Sequence, residues 1–203
     1  ITYEGRKLED FVISGISVSK DEAMISFYDV SVNNFNSAEI LTELSEQNIE
    51  IDIVSQSAVN AARGGVMDFT FTLGQSDYVP ALVILRQYIE RNKNISIESM
   101  QGDESVAKIS LVGIGMRSHS GIASKMFYSL GQEGVNIQLI STSEIKVSVV
   151  VDEKYLELGV RTLHEAFDLG KNIGNTSQSN DKIAAKDRII NKVVSIDKNV
   201  RNI

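Results

Sequence analysis

The chain has 203 residues, 42% apolar and 23% charged, with no cysteine and a net charge of -7. This suits a soluble globular protein with one large or two small cores. It excludes a disulfide framework, thiolate metal sites and a membrane-spanning helix, and its acidic average field disfavours nucleic acid as a partner.

No leader pattern precedes Ile1, so the chain reads as a cytoplasmic piece of a longer protein. Residues 11–19 form a strand-like segment, FVISGISVS, and 23–29 a second strand. A helix follows, with Asn36 as its cap, Glu39 three residues on, and Ile40, Leu41 and Leu44 on one face. Ile49, Ile51 and Ile53 alternate as in a half-buried strand, and Arg63-Gly64-Gly65 turns the chain into a strand over 66–73. The spacing predicts a helix from about Asp77, with Pro80 in its first turn and Leu82, Leu85 and Ile89 as its inner stripe. A strand over 95–100 closes this first unit as βαββαβ.

The pattern then recurs. A strand at 106–113 precedes a helix bearing Ile122, Ala123, Met126, Phe127 and Leu130. Strands at 136–141 and 145–151 lead to a helix with Leu156, Val160, Leu163 and Phe167 on one face. From Gly170 onward there are seven Lys/Arg against three Asp and no aromatic residue, so 170–203 reads as a polar basic tail with one weak helix over 181–194.

Two sequence matches carry the repeat. Met24-Ile25-Ser26-Phe27 corresponds to Lys108-Ile109-Ser110-Leu111, 84 residues later, and NIEIDIVSQS at 48–57 to GVNIQLISTS, 86 residues later. The second unit lacks a closing strand, and 11–19 has no partner in the first. The economical solution makes 11–19 complete the second sheet, with the first unit inserted into the second. The fold class is α+β: two ferredoxin-like units, helices on one face of antiparallel sheets. The expected layout is a junction at 1–10, a first domain at 20–105, and a second made of 11–19 plus 106–169.

The motifs SHSGIA (118–123) and VNIQLISTSEIKVSV (135–149), with NIEIDIVSQS, Gly64-Gly65 and DFTFTL (68–73) before them, resemble the tandem ACT domains in the regulatory region of monofunctional aspartate kinases. The likeness covers about residues 1–169. It implies a dimer paired through ACT domains, attached to a kinase domain or catalytic subunit that phosphorylates L-aspartate with ATP and magnesium, outside these residues. It also implies feedback by lysine, threonine or both, with no catalytic residue, metal or cofactor in this chain.

An amino-acid effector needs N–H groups for its carboxylate, as at a helix start, and oxygen acceptors for its ammonium. The resemblance places one effector site at the loop 32–37, with Val32, Phe35 and Ser37, beside Gln56, completed by Asn136 and Ile137. The second takes Met116, Ser118 and Gly121, facing Glu50, Ile51 and Asp52. The first loop departs from the family: Val32-Asn33-Asn34-Phe35 stands where an Asp-Lys-Pro-Gly-like stretch is usual, so the usual acidic ligand is missing. Ser120 stands where proline is common.

Plainer roles compete. Gln56, Asn136 and Ser143 could cap strands and turns. His119 and His164 have no second ligand at metal spacing, and Ser118 and His119, adjacent in sequence, point apart rather than forming a nucleophile–base pair. Met24, Met67 and Met126 read as core. Two other functions fit the fold order: an acylphosphatase-like hydrolase, for which the loops are not built, and an RNA binder, whose aromatic positions are Ile51, Ile53, Val147 and Val149 here. A stand-alone amino-acid-binding regulator, unattached to a kinase, is the nearer alternative.

Overall fold

The computed structural model describes residues 12–33, 35–97, 99–116 and 120–169. The tail over 170–203 and the segment 1–11 lie outside them, with the expectations placed there.

Two long strands organise the fold. β1 (Val12–Ser31) and β4 (Ser99–Ile114) run antiparallel, from Val12 opposite Ile114 to Tyr28 opposite Ser99. The later part of β1 also pairs with β3 (Val66–Gly74), and the later part of β4 with β6 (Lys146–Asp152). With β2 (Ile51–Gln56) and β5 (Ile137–Thr142) at the ends, the order is β2-β3-β1-β4-β6-β5. Residues 12–19 therefore pair with 108–114 of the second repeat, and the first repeat is inserted into the second.

Each half of the sheet carries two helices: α1 (Ser37–Glu46) and α2 (Tyr78–Arg91) on the first, α3 (Ser120–Gln132) and α4 (Leu156–Ala166) on the second. Strand alternation sends Ala23, Ile25, Phe27, Phe69, Phe71 and Leu73 into the first core. It sends Ala107, Ile109, Leu111, Val149 and Val151 into the second. A third, small cluster of Met24, Ile53, Leu139, Val106 and Val150 joins the halves on the face away from the helices.

Four details differ from the sequence reading. The described residues 12–19 and the segment 23–29 are one strand: β1 passes through the polar run 19–22 by register shifts, with Asp21 at φ 44°. The closing strand of the first repeat begins at Ser99, not 95, and is continuous with the opening strand of the second. Residue 95 is instead held in a turn, Ile95 N–H donating to Asn92 O at 2.9 Å. The inner stripe of α2 is Ala81, Leu85 and Tyr88, with Leu82 and Ile89 half-buried; the Tyr88 ring is buried while its hydroxyl reaches the exposed Glu39 carboxylate at 2.9 Å. Met24 is half-buried on the helix-free face rather than in a helix-covered core, while Met67 and Met126 are core residues.

The repeat extends to the helix ends. Asn48 (φ 59°) and Gly134 (φ 69°), 86 residues apart, each follow a helix in the left-handed conformation. The next amides close the turn identically, Ile49 N–H to Leu44 O at 3.1 Å and Val135 N–H to Leu130 O at 3.0 Å.

Candidate functional site

The loop between β1 and α1 is anchored before it can bind anything. Val32 N–H donates to Gly65 O at 3.1 Å, across a turn whose glycines sit at φ 86° and 77°. Phe35 N–H donates to Ser31 O at 3.2 Å, and its ring is buried, edge-on to Phe69 at 5.6 Å and 5.8 Å from Phe27. Phe35 is thus the loop's aromatic peg, its ring and its backbone N–H both engaged within the fold.

Asn36 caps α1 by accepting from Ala38 N–H at 3.1 Å. Its side-chain amide, rather than its backbone N–H, donates to Glu39 Oε1 at 3.0 Å. Glu39 Oε2 accepts from Tyr88 of α2, so one carboxylate ties the helix start to the neighbouring helix. Burial and the Glu39 carboxylate push the Tyr88 phenol up to about 12. Beyond the cap, Ser37 Oγ lies 3.3 Å from Gln56 Oε1, to which it donates. Loop and strand therefore meet at two of the expected effector residues.

Asn136 and Ile137 lie elsewhere in the chain. They border a cleft of ≈ 720 Å³ on the helix-free face, with Met24, Ser26 and Thr70 on its floor. Ser55 and Ser57 of the first repeat also line it, whereas Gln56 between them turns away to Ser37. Within one chain, the first loop with Gln56 and the pair Asn136–Ile137 are thus presented separately. Among the described residues, the cleft lining holds two carboxylates, Asp68 and Asp103, and no lysine or arginine. Asp68 Oδ1 accepts from Asp29 N–H at 3.0 Å, and its own N–H donates to Ser57 Oγ at 2.8 Å. A surface of hydroxyls, amides and carboxylates suits neutral or cationic groups.

In the second set, Met116 is a core side chain whose N–H donates to Glu144 O at 3.1 Å. Ser118 lies outside the described residues, and Gly121 is exposed, with open space where a Cβ would stand. Glu50 is exposed, Ile51 packs toward the first core, and Asp52 is already engaged by Lys108. Lys108 also pairs with Glu22 at 3.2 Å. Burial works against its charge, yet the Asp52 and Glu22 carboxylates outweigh it and hold the ammonium above the usual lysine value.

Sequence reasoning missed the Lys108 cluster and the cleft. The period-two run Asp68-Phe69-Thr70-Phe71-Thr72 does signal a polar face behind the core. Nothing local signals that β5 of the other repeat borders it.

This geometry defines a tandem pair of ACT-type units sharing one sheet, and the family model for the ACT domain matches residues 109–167. The chain is 48% identical over 166 residues to an aspartokinase of Pseudomonas aeruginosa, a match covering 82% of this chain and 39% of that one. In a crystal structure of aspartokinase alpha and beta subunits, one chain shares 43% identity, with 77% of this chain and 99% of that chain covered and a TM-score of 0.69. The regulatory subunit of aspartate kinase from Thermus thermophilus, ligand-free, gives 26% identity, 76% and 98% coverage, and a TM-score of 0.68. The chain belongs to the aspartokinase family, as its regulatory ACT region. It spans about two fifths of the length of the curated relatives it matches.

Proposed function

We propose that this chain is the cytoplasmic module through which an aspartokinase senses lysine, threonine or both, and that two copies bind the effector at their shared border. One observation carries the reading. The expected effector groups stand at the two ends of the sheet, Gln56 with Ser37 at β2 and Asn136–Ile137 at β5. Both end strands expose an apolar residue at equivalent repeat positions, Val54 at 46% and Ile140 at 48%.

A strand edge with an exposed valine or isoleucine is a template for another strand. Joining β2 of one copy to β5 of another continues the sheet and brings Gln56 beside the partner's Asn136. The effector then favours one arrangement of the paired sheets, and the catalytic part, which phosphorylates aspartate with ATP, follows that population.

Calorimetric titration of the dimer with lysine and with threonine tests this. Saturable heat from at least one, lost on dilution to monomer, is expected. A folded dimer that gives heat with neither at millimolar concentration overturns the reading.

A further inference from the structure

The repeat relates the two halves through a central pair, Glu22 opposite Val106, whose positions are themselves 84 residues apart. Beside that pair, Lys108 of the second repeat corresponds to Met24 of the first, and Asp52 on β2 to Gln138 on β5. The two sides of the axis are therefore built on one plan with different chemistry. On one side, Lys108 reaches both Glu22 and Asp52, linking β4, β1 and the end strand β2. On the other, Met24 and Leu139 pack against the small apolar cluster of Val106 and Val150, which Ile53 of β2 also enters, and uncharged Gln138 borders the open cleft.

We propose that Lys108 is a positioning residue for β2: to the ladder with β3 and the apolar contacts of Ile51 and Ile53 it adds a charged tie at Asp52, on the strand that follows Glu50 and carries Gln56, whereas among the described residues the equivalent strand β5 has its ladder with β6 and apolar contacts without such an ion pair. The two end strands then respond differently to salt. The Asp52 side chain is 48% exposed, so its pairing with Lys108 is open to screening by ions. The Met24–Leu139–Val106 contact contains no charge to screen. That Gln56 on this strand contacts the effector rests on the reading above; the positioning itself does not.

Amide hydrogen exchange on the full chain separates the two strands. Raising sodium chloride from about 0.05 to 0.5 M, which shortens the screening length to a few ångströms, should speed exchange in β2 by about threefold or more and leave β5 unchanged. The double variant Lys108→Met, Glu22→Val copies the apolar side of the axis without leaving the half-buried Glu22 carboxylate unpaired. It should show fast β2 exchange already at low salt and no further salt response.

Equal salt responses in β2 and β5 of the natural chain overturn the proposal, and that arm needs no variant to fold. So does a Lys108→Gln variant whose β2 keeps the natural salt dependence. If the natural chain gives no heat with lysine or threonine, the effector reading fails while the exchange result still decides the role of Lys108.

Discussion

Ser110 of β4 and Ser148 of β6 stand opposite each other with their hydroxyl oxygens 2.8 Å apart, both buried. The first repeat has the same pair in Thr70, which donates to Ser26 at 2.9 Å. Ser110 and Ser148 are paired where water does not reach, whereas the Thr70–Ser26 pair lies on the floor of the open cleft. Ser110→Ala strands the Ser148 hydroxyl and should cost about 1–2 kcal/mol in urea unfolding. Removing both in Ser110→Ala, Ser148→Ala should cost less than the two single changes added, because no polar atom is left without a partner. Additive losses would show that the pair does not act as a unit.

The left-handed residues after α1 and α3 give an asymmetric pair of substitutions. Gly134→Ala places a Cβ at φ 69° and should lower stability by about 1–2 kcal/mol. Asn48→Gly, at φ 59°, should be neutral or slightly stabilising, since asparagine already tolerates that conformation. Thermal unfolding of the two variants checks both signs.

Tyr88 links an ionisation to the fold. Its folded value is raised to about 12, above the ordinary tyrosine value of 10.0. The stability this contributes is complete below pH 10 and is lost as pH rises toward 12, because the unfolded chain releases the proton first. In a denaturant series, Tyr88→Phe should remove that part of the alkaline slope. It should also free Glu39 from its link to α2. An unchanged slope between pH 10 and 12 would mean that another group carries it.

The effector reading predicts a binding defect without a folding defect. Gln56 is exposed, and its side chain accepts from Ser37 at the α1 start. Gln56→Ala should weaken effector binding about five- to tenfold, the worth of one hydrogen bond, and leave the melting temperature within a degree or two. Asn136→Ala should do the same. Calorimetry on the dimer reads both, and native affinity in either variant removes that residue from the site.

Much of this architecture is visible in the chain before any coordinates. The matches at 24–27 with 108–111 and at 48–57 with 134–143 are long enough to establish duplication, and the orphan strand at 11–19 leads to the insertion. The fusion of that strand with the next is hidden because 19–22 is Ser-Lys-Asp-Glu, a run that reads as a turn. The structure carries it through as strand, with bulges on one side of the ladder. The face of α2 is misjudged for a related reason: a tyrosine counts as buried only once its hydroxyl has a partner, and Glu39 lies 49 residues away. Phe35 similarly reads as a ligand-side residue until Phe27 and Phe69 are seen around it. Local periodicity reports which side of an element is apolar. It carries no information about which distant polar group waits there.

The common pair β1 and β4 has a further effect. Because residues 12–19 serve the second half and 22–31 the first, no single scission of the backbone yields one intact half and one intact remainder. Heat or denaturant should therefore melt both halves together, so disturbance at either sheet end is felt by the whole molecule.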